Sequence, residues 1–317
     1  MRKAFFISIL TAFIFADSFG CINGETKVLK DGTEITLDHE GGIIPQGHIF
    51  MESDYSQILK KLDRLWKTTN DIDYLSDYGV VLILQKEYKK AKSIYLEIEK
   101  IKPNRYSTAS NLGTVYELLG ENENAIKWIQ KSIQIDPKAH KSSEWLHVKI
   151  LEAKIKGEAY FTSDFLLNTN FGRENLPTSN LTNKELLRLR DALYFQLNER
   201  VSFVEPKDKI IAELLFELAN IATLTGAKEE ALSIYQQAKG YGFTEPILNL
   251  RYENAKSVSQ NLKGQAYSFF KFGAKNYLIW VFTILTLGTG LLLLKRWWTR
   301  RKNDRQHGFV ASGGGRK

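Results

Sequence analysis

Residues 73–104 read DYLSDYGVVLILQKEYKKAKSIYLEIEKIKPN, and residues 106–138 read YSTASNLGTVYELLGENENAIKWIQKSIQIDPK. Set against each other at an offset of 34 residues, Gly79 falls on Gly113, Leu82 on Tyr116, Ala91 on Ala125, Tyr95 on Ile129 and Pro103 on Pro137. A fixed period of this length is the signature of stacked helical repeats. Each unit holds two segments with apolar residues at helical spacing. The small residues serve a close approach of the two helices, with Gly113 set against Ala125 and no bulky side chain to push them apart. Each proline lacks an N–H and restrains the residue before it, so it ends the second helix and begins the turn to the next unit.

These units resemble the tetratricopeptide repeat (TPR) family, whose pattern places Leu-Gly and Tyr in a first helix, Ala and an aromatic in a second, and Pro at the end. Leu112, Gly113, Tyr116, Ala125 and Pro137 match it. A third unit, residues 211–246, has Leu218, Ala219, Gly226, Ala231, Tyr235 and Ala238 in the corresponding places, with Pro246 slightly late. Residues 140–157 and 183–206 keep helical spacing without the small-residue signature and read as degenerate or non-TPR helical pairs. The resemblance implies an all-α superhelix of helix pairs, with a TPR array over 54–160, an insertion over 161–182 rich in Asn, Thr and Phe, and a TPR-like helical region over 183–260.

Ahead of the array lies a segment, 21–53, in which Asp31-Gly32 divides the alternating stretch TKVLKDGTEITL and predicts a small β-hairpin. From Asp54, DYSQILKKLDRLWKTT puts Ile58, Leu62, Leu65 and Trp66 on one helix face, predicting a cap on the first repeat.

The chain has 317 residues, 43% of them hydrophobic, enough for a substantial core, and a formal charge of +8. That charge sits at the ends: eight basic residues against Asp304 after residue 294, and Arg2 and Lys3 against Asp17 at the start. The middle is balanced, which excludes a phosphate-binding surface and ties the basic character to membrane topology. Residues 1–20 have a basic start, an apolar run and small residues before Cys21, the three parts of a secretory signal. Cys21 is the lone cysteine, so an intrachain disulfide framework is excluded, and Ser18 departs from the lipoprotein pattern that would acylate it. After a linker over 261–276, residues 277–294 form an uncharged apolar run that rises about 27 Å as a helix, close to the bilayer core. Tyr277, Trp280, Trp297 and Trp298 sit at its edges, and the basic tail 295–317 belongs on the cytoplasmic side. The predicted location is the bacterial inner membrane, single-pass, with the domain extracytoplasmic.

A Gly-rich phosphate loop, an HExxH helix and a nucleophile elbow are all missing from the sequence. His140, Glu144 and His147 share a predicted helix face, but histidines seven residues apart stand about 10.5 Å apart along the axis, too far to share an ion comfortably. They read as a solvated polar face, and no cofactor or metal is expected. The TPR resemblance implies a concave face lined by first helices that binds a protein or peptide partner. Its candidate residues are Val80, Ile83, Leu84, Asn111, Thr114, Leu118 and Lys141. Of the positions with which some family members clamp a terminal carboxylate, Asn111 and Lys141 agree, while Ser76, Val80 and Trp145 depart. Tyr78, Tyr88, Tyr95, Tyr116 and Trp128 read as core. The apolar face of Val80, Ile83 and Leu84 is expected either to accept an amphipathic segment or to be covered by the insertion 161–182.

The functional expectation is a membrane-anchored extracytoplasmic scaffold with no catalysis of its own. The alternatives are a substrate-holding subunit of an envelope maturation or secretion complex, and a hydrolase combining Asp164 with Glu144 and His147.

Overall fold

The computed structural model describes residues 28–37, 42–51 and 53–258 together with 260 and 295. The signal-like run, Cys21, the linker, the apolar run 277–294 and the tail beyond Lys295 lie outside the described residues. Among the described residues, no helix is long and apolar enough to cross a membrane. The described residues up to 256 make one compact unit.

Among the described residues, two short strands, β1 (Thr36–Leu37) and β2 (Ile49–Phe50), pair antiparallel and precede ten helices. The helices are α1 (Tyr55–Thr69), α2 (Ile72–Leu84), α3 (Tyr88–Ile101), α4 (Tyr106–Leu118), α5 (Asn122–Ile135), α6 (Glu144–Lys156), α7 (Ser163–Leu167), α8 (Asn183–Phe203), α9 (Lys209–Leu224) and α10 (Lys228–Tyr241). A further helical stretch covers 246–258. The expected turn at Asp31-Gly32 forms beside a single bridge between Val28 and Glu34, while the paired strands lie after it.

Three pairs repeat one connection. In α2–α3, α4–α5 and α9–α10 the turn residue is left-handed: Lys86, Gly120 and Gly226, with φ of 60°, 77° and 89°. The next residue's N–H then reaches back five positions, Glu87 to Leu82, Glu121 to Tyr116 and Ala227 to Ala222, at 2.8–2.9 Å. This closure satisfies carbonyls that the helix end leaves bare, and glycine takes the left-handed φ without a Cβ penalty. The prolines act as predicted in the first two repeats, with α3 and α5 ending two residues before Pro103 and Pro137. In the third, α10 ends on the left-handed Gly242 instead, and Pro246 opens the next helical stretch. A first-turn proline costs no hydrogen bond there.

The close approach is real, but its partner is not Ala125. A Cβ at Gly113 would overlap the Ile129 side chain, and one at Gly79 would stand 2.6 Å from Cζ of Tyr95. Tyr95 and Ile129 occupy the same repeat position, and the bulky residue there fills the groove the glycine leaves. Tyr95 is fully buried and donates from its hydroxyl to the Ser76 carbonyl at 3.1 Å.

Among the described residues the interior has two apolar cores. The first joins α1 to α5 with Leu29 and Ile35 of the N-terminal segment; the second joins α6 to α10 with Leu166, Leu167 and Phe171 of the insertion. As predicted, α1 packs on α2, with Leu62 buried. The insertion is ordered: the buried Arg251 guanidinium donates to the carbonyls of Phe171, Gly172 and Glu174 at 2.7–3.2 Å.

Replacing Gly113 by Leu forces four added carbons against Ile129. The expected cost is about 1 to 3 kcal/mol or more, read as a lower melting temperature of the full-length protein in detergent. An unchanged melting temperature would sink the packing assigned to this pair.

Candidate functional site

The first helices α4 and α6 and the long helix α8 flank a half-open cavity of about 300 Å³ lined by Thr114, Glu117, Leu118, His147, Lys154, Gln196, Glu199, Arg200, Phe203, Val204 and Glu205. At helical spacing, Gln196, Glu199, Arg200 and Phe203 share one face of α8. That helix starts on a capping box, the Thr182 hydroxyl accepting from Glu185 N–H while the Glu185 carboxylate accepts from Thr182 N–H at 2.8 Å.

Glu117 is the centre of the cavity wall. Its Oε2 accepts from His147 Nε2 at 2.6 Å and lies 3.4 Å from Arg200 Nη2, and its Oε1 accepts from Lys154 Nζ at 2.7 Å. Burial alone would raise its pKa, but Lys154, Arg200 and His147 outweigh that and hold the carboxyl well below the usual range. The other ring nitrogen of His147, Nδ1, stands 3.3 Å from Glu144 Oε2. Burial and Arg200 both oppose a charge on this imidazole, yet the two carboxylates prevail and its pKa is raised. The two carboxylates thus favour the charged form of the ring, which is hydrogen-bonded through Nε2 to Glu117.

His140, Glu144 and His147 therefore do not form the solvated face read from their spacing. All three are buried. His140 stands outside α6, in a turn where His140, Lys141 and Ser142 all have positive φ, 50°, 53° and 59°. Three consecutive left-handed non-glycine residues are costly, on the order of 1–2 kcal/mol each. The turn carries the His140 ring into the interior, stacked on Phe195 at 5.1 Å, beside the Tyr106 hydroxyl and bonded through Nδ1 to Glu144. Spacing along an ideal helix could not show this. Among the described residues, no cluster of His, Cys, Asp or Glu is placed to hold a metal ion.

An N-terminal strip runs along α8 beside the cavity. Gly47 and Gln46 donate backbone N–H to Asn198 Oδ1 at 2.9 and 3.1 Å, and His48 N–H to Ser202 Oγ at 2.8 Å. His48 Nε2 pairs with Glu199 Oε1 at 2.8 Å, and Phe50 packs on Phe203 with ring centroids 5.3 Å apart. Nearer the N-terminus, Lys30 N–H donates to the buried Asp77 carboxylate at 2.7 Å. Burial pushes Asp77 up to about 7 despite that bond.

Of the residues predicted to form the concave binding face, Thr114 and Leu118 line the cavity. Val80 and Ile83 are buried in the first core with Leu29 and Ile35, and Leu84 packs against the same core. The insertion's buried residues belong to the other core, so the N-terminal segment, not the insertion, shares the core of this α2 face. Asn111 is buried and donates from Nδ2 to the Tyr95 hydroxyl at 2.9 Å, binding one repeat to the next. Lys141 is exposed at the left-handed turn, bordering a separate cavity with Trp145 and Arg188. The sequence reading missed Glu117, Lys154, Gln196, Glu199, Arg200 and Phe203. The only legible signal was the run of polar residues on one face of α8.

Asp164 does not meet Glu144 or His147. It borders a second cavity, about 250 Å³, with Glu213, Glu217, Glu245 and the rings of Phe161, Phe171, Phe216 and Phe243. Burial and then the Glu217 charge push Glu213 up to about 8, while burial pushes Glu217 to about 7 even though Asn220 donates to it at 2.7 Å.

Residues 107–139 match the model of the tetratricopeptide repeat family. This is the α4–α5 pair, and α2–α3 and α9–α10 share its turn. No curated protein sequence matches the chain. A crystal structure of a thermophilic TPR protein from Thermus thermophilus matches at 17% identity over 63% of this chain and 90% of that one, with a TM-score of 0.32.

Glu117→Gln leaves His147, Lys154 and Arg200 without their shared counter-charge, and the expected loss is about 3–5 kcal/mol, seen as a lower midpoint in denaturant. A change within error would mean the network is screened by solvent. Glu213 and Glu217 hold protons more tightly folded than unfolded, so their contribution is full below the unfolded carboxylate pKa of 4.5 and is lost as pH rises through about 7 and 8. Glu213→Gln should therefore raise the melting temperature at pH 9 by several degrees, at roughly 2–4 °C per kcal/mol, and leave it nearly unchanged at pH 4. An equal increment at both pH values would contradict the raised pKa.

Proposed function

We propose that this protein is an interaction scaffold, anchored in the bacterial inner membrane by the apolar run 277–294 and presenting its helical-repeat domain outside the cytoplasm. The observation that carries the scaffold reading is the cavity on the first-helix face of α4 and α6, the face on which stacked helix pairs receive a partner protein or peptide. Helix-pair repeats of this kind support protein interaction as the general role. The anchor and orientation rest on the sequence alone: a signal-like start, an uncharged run of bilayer length with tryptophans at its edge, and a basic tail. In the same reading the partner is held near the membrane surface, either for assembly or, as a non-catalytic subunit, as the substrate of a neighbouring enzyme in envelope maturation or secretion.

A photo-crosslinking residue at Thr114 of the full-length protein, in its native membrane, should yield a discrete adduct. The same residue at Lys90, exposed on the second helix of the first pair, should not. Equal labelling from both positions would overturn the concave-face assignment. For topology, Ser312→Cys in a chain with Cys21→Ser should resist impermeant thiol reagents in intact cells. Labelling from outside would reverse the orientation.

A further inference from the structure

The turn that carries His140 inward leaves Lys141 exposed, and there Lys141 borders a cavity of about 510 Å³. Its walls come from Lys141 and Trp145 at the start of α6, from Leu167 of α7, from Leu181, and from Arg188, Leu189 and Ala192 of α8. Among the described residues, neither α2 nor α4 contributes to this lining. The cavity is therefore separate from the concave face that stacked first helices form.

The fold leaves the charge of this cavity unanswered. Lys141 and Arg188 are both exposed, and among the described residues neither forms an ion pair. The acids close to them in sequence are engaged elsewhere: Glu144 with His140 and His147, Glu185 with the backbone and hydroxyl of Thr182, and Asp191 with Arg190. Arg188 acts on Glu185 only through its field. The described lining holds two cations and no acid, so its potential favours an anion. Long side chains that are not held elsewhere can lay their stems along an apolar wall and turn their charged ends over the cavity mouth.

The apolar part is equally specific. Trp145 is 40% exposed, although Glu144 beside it in the chain is buried. A large aromatic left open to solvent next to an arginine is the composition enriched at the centres of protein interfaces. Leu167, Leu181, Leu189 and Ala192 continue that apolar surface. A volume of about 510 Å³ falls within the range of ligand sites and has room for one large side chain with its flanking chain. A nucleic-acid strand would need a longer run of bases than two. One carboxylate matches the charge, and a ring matches the tryptophan and leucine lining.

We propose that this cavity docks a partner segment in which an acidic side chain stands next to an aromatic one, the ring packing against Trp145 and the leucines while the carboxylate pairs with Lys141 and Arg188. The site adds a second interaction surface to the scaffold and does not depend on the cavity that Glu117 lines.

The test uses the full-length protein in detergent micelles, labelled with 5-fluorotryptophan, and follows the ¹⁹F resonance of Trp145, identified by its loss in Trp145→Phe. The probes are the blocked tetrapeptides Ac-Gly-X-Phe-Gly-NH2 with X as Glu, Gln or Lys, together with Ac-Gly-Glu-Gly-Gly-NH2 and Ac-Gly-Gln-Phe-Gly-OH, whose charge is a terminal carboxylate. The Glu-Phe peptide should shift the Trp145 resonance and bind about five-fold or more tightly than every other probe, the margin that two exposed ion pairs supply, and salt should narrow it. Lys141→Asn with Arg188→Gln removes both charges without strain, because Asn tolerates the left-handed φ and Gln suits a helix. This double variant should keep its melting temperature and its affinity for the Gln-Phe peptide, and lose the preference for Glu-Phe. Should it fail to fold, the peptide series on the unaltered chain still decides. Equal binding of the Glu and Gln peptides, a preference for the free terminal carboxylate, no shift with any peptide, or undiminished Glu-Phe binding in the double variant each overturns the proposal. So does a Trp145 shift caused by phosphatidylglycerol in the micelle and by no peptide, which would assign the cavity to lipid. Peptide binding at Trp145 without a crosslink from Thr114 would leave this pocket and remove the concave-face reading; the reverse would leave the scaffold reading without this pocket.

Discussion

A single carboxylate, Glu117, ties three helices together where the two apolar cores meet. It sits near the end of α4, whose apolar residues belong to the first core, and it binds His147 and Lys154 of α6 and Arg200 of α8, whose apolar residues belong largely to the second. Apolar packing is non-directional and would tolerate small slips between the two halves. A buried ion pair is not tolerant in that way, because misalignment leaves a charge uncompensated at a cost of several kcal/mol. The network's worth therefore lies in fixing the register of α4, α6 and α8 more than in net stability. Its extension through His147 to Glu144 and His140 accounts for the left-handed turn before α6, since that turn is what brings His140 to the Glu144 carboxylate.

The N-terminal strip depends on the same register. Asn198, Glu199 and Ser202 receive residues 46–48 at positions spaced along one face of α8, and Phe203 receives Phe50. At its other end the strip is held at α2, where Lys30 meets Asp71, Asp73 and Asp77. The chain thus covers with its own backbone a part of the apolar face that an isolated repeat would leave to a partner. What stays accessible is the polar cavity beside the strip, and under the proposed scaffold role recognition would fall there and not on the apolar side of α2.

Two carboxylate environments show how burial and partners decide charge. Glu117 has three cationic partners, which hold its pKa well below the usual range although it is largely buried. Glu213 and Glu217 lie on α9 one turn apart, with Asp164 and Glu245 nearby, so burial and like charge act in the same direction and both protonate near neutral pH. Arg251, whose charge acts on Glu217, is committed to three carbonyls of the insertion and to the face of Phe216.

Much of the architecture was legible in the sequence because repeats encode it locally. The period of 34 residues, the small residue in each first helix and the proline that closes the first two repeats are properties of one or two adjacent helices, and a physical reason attaches to each without knowledge of the rest. The same locality made Gly113 readable as a close approach while hiding that the facing residue is Ile129, since which side chain fills a groove depends on the angle at which the helices cross. The candidate cavity was not legible. Its walls come from residues 114 to 205, brought together by long-range packing, and its key carboxylate lies in a repeat position the pattern leaves variable. His140, Glu144 and His147 could be grouped by spacing, but solvation is decided by what packs over a face, and here α4 and α8 do so. The sequence by itself determined the repeat and the balance of charge along the chain; the tertiary structure decided which charges are buried and which of them pair, because those depend on what long-range packing lays over each face.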